Sequence, residues 1–434
     1  MGNCFQKPET RGQMYNIDEL IKRAEQGDCN AMIVLGDLYR WGEGIARDME
    51  KCFYWTKKAA ALLNPVAYQY LGYHHEIPVG YSDINDADAD YKSVFDCFFK
   101  GAVLGDSNSL YKVGDMYFTG KFVEKDQRFA FSLYKRSDEL SDYPSANLNL
   151  RLGECYCMGM GTEQDIVEAR ERLKSAVSEY EEQEASGGNP VFFMEGFNRA
   201  KHLLKRIDAD KIPGKPIDLA LEAKNKEYAA FVAGEQMHYP EPQYPIETLE
   251  ALKKENPKVP IPKGEGFNTV LANAESGDKW AMYYLAIYCI DRFENDPDNK
   301  EMIDYALYYY HKAALCGFSA ALYTLGDVYQ KGKGVTADPN KALMYYEQSN
   351  ETIALEEIGI YYLNGDIVSQ DYEKAYKCFA KCALFKEKYD YAALPKLARF
   401  YREGLFVEKD EKFADYLEEQ SKKRGESGKK YEKG

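Results

Sequence analysis

Four Gly-x-Gly pairs are the first residues in this chain that could do chemistry: Gly42/Gly44, Gly159/Gly161, Gly264/Gly266 and Gly332/Gly334. Closely spaced glycines let backbone N–H groups close around a phosphate, but that needs the full GxGxxG or GxxxxGK[ST] pattern following a strand. None of the four completes either pattern. His74-His75-Glu76 is the one cluster among five histidines, and it lacks the i, i+4 spacing that brings two metal ligands to one helix face. His202, His238 and His311 stand alone, and His311, after Tyr308-Tyr309-Tyr310, reads as a half-buried packing residue. The ten cysteines hold no CxxC pair, so the zinc signature is missing. Cys155 and Cys157, two apart, face away from each other on a helix; Cys378 and Cys382 share a face without companions to complete a site. Glu181-Glu182, Glu356-Glu357 and Glu418-Glu419 diverge around a helix and read as solvated faces, whereas acid–base work needs carboxylates converging on a cleft. The residues thus predict no catalytic site, no metal and no cofactor.

Composition narrows the class further. The 434 residues leave room for about three domains and a large core. Hydrophobic residues at 45% and charged residues at 29% describe a globular chain and exclude wholesale disorder. Asp and Glu number 71 against 56 Lys and Arg, a net charge of −15, which repels phosphate backbones and argues against a general nucleic-acid binder. No run of 18 apolar residues exists, so no membrane span is expected. The start, Met1 to Pro8, has no apolar core for a secretory signal. Gly2 and Cys4 hint at double acylation, but Gln6 stands where the myristoylation pattern wants Ser or Thr. Scattered cysteines inside apolar helical patterns fit reduced thiols in a cytoplasm.

The elements that carry these residues repeat. One copy runs Ala31, Leu35-Gly36-Asp37-Leu38-Tyr39, Gly42-x-Gly44-Ile45, Asp48, then Phe53-Tyr54-Trp55 and Ala59-Ala60. Others centre on Val113-Gly114-Asp115, Leu152-Gly153-Glu154, Leu325-Gly326-Asp327 and Ile358-Gly359, with a weaker one at Leu397-Ala398. Two degenerate copies begin at Leu71-Gly72 and Leu285-Ala286; the first carries an acidic insertion, Asp83 to Asp90, and the second replaces its loop with Asp291 to Lys300. Residues 190–206 hold a further remnant. Each copy predicts a hairpin. Apolar residues at helical spacing make a first helix, A. A glycine in its middle costs about 1 kcal/mol against alanine, which points to close helix–helix approach. A second glycine ends helix A, an apolar Val or Ile plugs the corner, and an Asp caps helix B. Asp338-Pro339 is the clearest cap, and Asp165 with Glu168 suggests a capping box. Such a hairpin buries its apolar face only by stacking on its neighbours.

The pattern Ala-x3-Leu-Gly-x2-Tyr-x2-Gly-x-Gly-Val-x2-Asp-x3-Ala-x2-Tyr, strongest over residues 321–346, resembles the Sel1-like repeat, a relative of the tetratricopeptide repeat. The resemblance implies an all-α fold, an α-solenoid of antiparallel helix-turn-helix repeats. Residues 24–32 parallel 274–282 as the start of an array. The expected organisation is a polar segment (1–15), a first array (16–206), a Pro-rich spacer with short helices near 217–233 and 246–255 (207–266), a second array (267–420) and a charged, frayed tail (421–434). The resemblance further implies a non-enzymatic adaptor whose concave groove, lined by helix A, holds a protein or peptide. The lining positions are Asp37, Arg40, Trp41, Asp115, Phe118, Glu154, Asp327, Gln330, Tyr362, Arg399 and Arg402, with Trp41 and Phe118 as aromatic anchors. The acidic surface favours a basic partner. Two alternatives stand beside this: a cytoplasmic immunity or inhibitor protein masking a basic toxin or nuclease, and an enzyme with its site in residues 190–266.

Overall fold

Five turns of the repeat close with the same backbone bond. The Asp at the end of each donates its N–H to the carbonyl of the helix A tyrosine, Asp48 to Tyr39, Asp126 to Tyr117, Asp165 to Tyr156, Asp338 to Tyr329 and Asp371 to Tyr362, each at 2.9 Å. The Asp carboxylate then accepts the N–H three residues on, as predicted, for Lys51, Phe129, Glu168, Lys341, Lys374 and Phe413 at 2.9–3.0 Å. The capping box does not form: the Asp165 N–H is committed to Tyr156, and Glu168 instead accepts from Arg172 Nε at 2.9 Å.

The computed structural model describes residues 15–76, 90–187, 193–209, 267–349, 351–385 and 392–431. Among them are nineteen helices and no strand. They are α1 (Ile17–Glu25), α2 (Cys29–Trp41), α3 (Met49–Ala60), α4 (Pro65–Glu76), α5 (Tyr91–Val103), α6 (Ser107–Thr119), α7 (Gln127–Leu140), α8 (Ala146–Met158), α9 (Ile166–Ala185) and α10 (Met194–Asp208). From residue 267 on come α11 (Phe267–Glu275), α12 (Lys279–Asn295), α13 (Lys300–Leu315), α14 (Ser319–Lys331), α15 (Pro339–Gln348), α16 (Thr352–Asn364), α17 (Tyr372–Leu384), α18 (Ala393–Glu403) and α19 (Glu411–Tyr431). Helix A of each hairpin is α2, α4, α6, α8, α12, α14, α16 or α18, and the following helix is B. The helices are the α-solenoid repeats expected. The chain divides into two compact units, Met1–Pro216 with Val407–Tyr416, and Ile217–Phe406 with Leu417–Gly434.

Glycine ends helix A in the left-handed conformation at Gly42, Gly120, Gly159, Gly332, Gly365 and Gly404, with φ between 66° and 78°. Two residues on, Phe122 (φ 67°) and Phe406 (φ 65°) keep a left-handed backbone where other copies have a second glycine. That costs about 1 kcal/mol. Ring packing offsets it, Phe122 on Phe95 at 5.3 Å and Phe406 on Tyr376 at 5.7 Å. The mid-helix glycines do sit at close approaches: a Cβ on Gly114, Gly153 or Gly359 would lie 2.7 Å from Tyr134, Leu173 or Phe379 of its own helix B.

The degenerate copies also fold as hairpins, α4 with α5 and α12 with α13. In the second, helix A runs on to Asn295 and takes up part of the replaced loop. α1 and α11 lead into the arrays through matching caps, Asp28 on Ala31 at 3.1 Å and Asp278 on Trp280 at 2.9 Å. The remnant near 190–206 is α10, whose Phe197, Ala200, Leu203 and Ile207 close over the core and whose remaining positions are mostly polar. The expected tail is helical, since α19 continues to Tyr431. The helices expected at 217–233 and 246–255, and the acidic insertion apart from Asp90, lie outside the described residues.

Candidate partner interface on the helix A faces

Successive helices A, and α10 after α8, are joined by side chains reaching from one element to the next. In the first unit Tyr70 of α4 donates its hydroxyl to Asp37 of α2 at 3.1 Å. Lys112 of α6 pairs with Glu76 of α4 at 2.7 Å, Arg151 Nε of α8 with Asp115 of α6 at 2.8 Å, and Arg199 of α10 with Glu154 of α8. The second unit repeats the arrangement: Thr324 with Tyr283 at 3.2 Å, Gln330 with Glu357 at 3.1 Å, and Lys396 with Glu356 at 2.5 Å. Tyr70, Lys112, Arg151, Thr324, Glu357 and Lys396 all sit two residues before the glycine or alanine at the middle of helix A. The glycine presses A against B, and the residue two before it ties A to its predecessor.

Seven stretches match the Sel1 repeat family model: residues 29–62, 107–140, 148–176, 297–318, 319–351, 352–383 and 392–414. The chain is a Sel1-repeat protein. Over 46 residues it is 50% identical to the Sel1-repeat-containing protein YbeQ of Escherichia coli K12, a match spanning 10% of this chain and 14% of that relative. Among solved structures it is similar to c5321, described as a protective antigen of uropathogenic Escherichia coli with an SLR fold (19% identity, 96% of this chain, 91% of that chain, TM-score 0.35). A Sel1 repeat protein from Oxalobacter formigenes is also similar, with 18% identity, coverage of 98% and 91%, and a TM-score of 0.30. Sel1 repeats are helical-repeat scaffolds for protein interaction.

The Sel1 helix A positions singled out from sequence divide into two groups. Phe118 and Glu154 are absorbed by the stack, and Asp115 is committed to it by its partners while its side chain stays half-buried. Phe118 is only 9% exposed, lying 6.2 Å from the Tyr134 ring with the Arg151 guanidinium 5.2 Å from its own. Glu154 is fully enclosed and holds Arg151 and Arg199. Asp115 takes both the Tyr134 hydroxyl at 2.7 Å and Arg151 at 2.8 Å. The others stay partly accessible. Asp37, Arg40 and Trp41 are half-buried, with the Arg40 guanidinium 5.7 Å from the Trp41 ring. Asp327 meets Lys331 and, at 3.6 Å, Lys333; Gln330 accepts the Tyr346 hydroxyl at 2.7 Å; Tyr362 reaches Glu347 at 3.4 Å. Arg399 is exposed beside Glu403, and Arg402 holds Glu418 at 2.8 Å.

The inter-repeat partners set the electrostatics. Burial opposes charge on Asp115, yet Arg151, Tyr134 and Lys112 outweigh it and hold the carboxyl below its ordinary range. Asp37 occupies the equivalent place in the first repeat, and there burial wins: its pKa rises to about 6, against the Tyr70 hydrogen bond and the attraction of Arg40. Glu356, Glu357 and Glu418, expected on solvated faces, are half-buried or paired links, whereas Glu181 and Glu182 are exposed.

The remaining chemical candidates are packing residues. His74 Nε2 lies 3.7 Å from Cys52 Sγ. Burial pushes His74 down to about 4 and the Cys52 thiol up to about 11, the reverse of what a thiolate–imidazolium pair needs. His311, expected half-buried, is enclosed beside Tyr345, and burial lowers it to about 3. The nine cysteines among the described residues are free thiols. Among the described residues no three His, Cys, Asp or Glu side chains could hold a metal, and no helix is long and apolar enough to cross a membrane.

Proposed function

We propose that this Sel1-repeat chain is a non-catalytic scaffold whose helix A faces hold a protein or peptide partner. The observation that carries the reading is the set of aromatic and polar side chains that helices A leave half-buried rather than enclosed: Asp37, Arg40 and Trp41 on α2 in the first unit, Asp327 and Gln330 on α14 and Tyr362 on α16 in the second. Trp, Tyr and Arg are the side chains that most often anchor interfaces. Arg399 and Arg402 extend the second face. Asp115, Phe118 and Glu154 support the surface from within by fixing α6, α8 and α10 against one another. The net charge of −15 favours a basic partner. Free thiols throughout the described residues fit a reducing cytoplasm.

A photo-crosslinking amino acid placed singly at Trp41 and Tyr362, and at Tyr54 and Val167 as controls, tests this. Tyr54 (51% exposed) and Val167 (77% exposed) lie on helices B. The reading expects partner adducts from positions 41 and 362 and none from 54 and 167. Adducts from the helix B positions alone would overturn it.

A further inference from the structure

Four helices A carry an acid directly after their central glycine: Asp37, Asp115, Glu154 and Asp327. Three are met by cations of this chain: Asp115 by Arg151, Glu154 by Arg151 and Arg199, Asp327 by Lys331 and Lys333. Asp37 is different on two counts. The position from which Arg151 reaches Asp115 holds Tyr70, which offers a neutral hydroxyl at 3.1 Å. The position from which Tyr134 reaches Asp115 holds Thr56, too short to span, whose hydroxyl donates back to the Cys52 carbonyl at 2.8 Å. The half-buried Asp37 carboxylate therefore receives less compensation than its counterparts, while desolvation makes an added cation more valuable there than at a fully solvated acid.

We propose that Asp37, with Trp41 one turn along the same helix face, is the point at which a partner protein inserts an arginine or lysine side chain. The inserted cation supplies the charge that Arg151 supplies in the Asp115 repeat, beside Tyr70 and on the side that the short Thr56 leaves uncovered, and the indole covers its apolar stem. Arg40 does not fill this role: its guanidinium is turned to the Trp41 ring and acts on Asp37 through space. The charged and titratable neighbours are Arg40 on α2, Glu43 in the turn after it, Cys52 on α3, and Tyr70 on α4. The proposal rests on the helix A face being the binding surface, and it adds the chemistry of the recognised side chain.

The test uses the full chain labelled with 5-fluorotryptophan, which gives three resonances, for Trp41, Trp55 and Trp280. The probes are the capped tripeptide Ac-Ala-Arg-Ala-NH2 and its Gln analogue, titrated at 150 mM salt, where exposed charges more than about 8 Å apart are screened. The expected result is a saturable shift of the Trp41 resonance with the Arg peptide alone. Asp37→Asn should weaken it about tenfold, a loss of about 1.4 kcal/mol, and Glu184→Gln, with the same change in net charge at an exposed position of α9, should leave it unaltered. A shift that survives Asp37→Asn, equal weakening in both variants, or no saturable shift would overturn the proposal. Crosslinking from positions 41 and 362 alongside such a failure would sink the cation site alone. Absence of those crosslinks would sink the helix A reading whatever the titration showed.

Discussion

Replacing Gly114 by alanine puts the packing logic of the repeat under direct strain. A Cβ there would sit 2.7 and 2.9 Å from two ring carbons of Tyr134, where carbon atoms pack at about 3.5–4.0 Å. Tyr134 has nowhere to go. It is fully buried, its hydroxyl is held by Asp115 at 2.7 Å, and Tyr111 and Phe118 stand 5.9 and 6.2 Å from its ring. Overpacking costs about 1–3 kcal/mol, and loosening a hydrogen bond to a charged group adds about 1.5 kcal/mol or more. The helix gains about 1 kcal/mol from alanine. The net expectation is destabilisation by about 2–3 kcal/mol. Gly36→Ala is the matched control: its Cβ would meet only Thr56 Oγ1 at 3.1 Å and the Cys52 carbonyl oxygen at 3.7 Å. A shift of a few tenths of an ångström accommodates it, and the helix gain of about 1 kcal/mol largely offsets the cost. Urea denaturation followed by far-UV circular dichroism compares the variants, and hydrogen exchange over residues 107–140 and 29–62 localises the effect. If Gly114→Ala were as stable as the parent, or Gly36→Ala as damaging as Gly114→Ala, close approach would not be the reason for these glycines.

Phe118→Ala should cost about 3–4 kcal/mol as a core truncation, while Trp41→Ala, at a half-buried site, should leave the melting temperature near that of the parent. Calorimetry on the two single variants separates them. Lys100 is buried between Asp96 at 3.3 Å and Asp410 at 3.1 Å, both within the first unit. Lys100→Met strands two carboxylates and should destabilise by about 3 kcal/mol in urea titration; an unchanged midpoint would mean the pairs contribute nothing. Burial, opposed by the Asn149 hydrogen bond and aided by Glu182, raises Glu179 to about 7 from an ordinary 4.5. Between those values the folded chain holds a proton that the unfolded chain has lost, so this residue adds stability as pH falls from 8 to 5. Glu179→Gln should flatten that part of the stability profile, and a profile as steep as the parent's would refute the assignment.

Much of the repeat was legible in the sequence because its signals are local. The Asp caps and the glycines that end helix A lie within about one helical turn of their partners. The central glycine announced a close approach, since nothing else compensates its helix penalty. The candidate face was legible only as a set of positions. Whether each is free or committed depends on residues about one repeat away: Arg151 decides Asp115, Tyr70 decides Asp37, and Lys396 and Gln330 turn Glu356 and Glu357 into links. Spacing within one copy cannot show that. Aligning the copies and reading the position two before the central glycine would have, because Lys112, Arg151 and Lys396 recur there. The capping box failed for a related reason: the backbone N–H that Glu168 would have reached is already taken by the turn's own closing bond.

The most direct test of the helix A face as the binding surface is quantitative affinity capture with three forms of the full chain: parent, Trp41→Ala and Tyr54→Ala. Both substitutions remove an accessible aromatic from neighbouring helices, one on A and one on B. The account predicts that a partner held by the parent is lost from Trp41→Ala and kept by Tyr54→Ala, with all three forms equally folded. A partner kept by Trp41→Ala and lost from Tyr54→Ala would place the binding surface on the helix B side and contradict it.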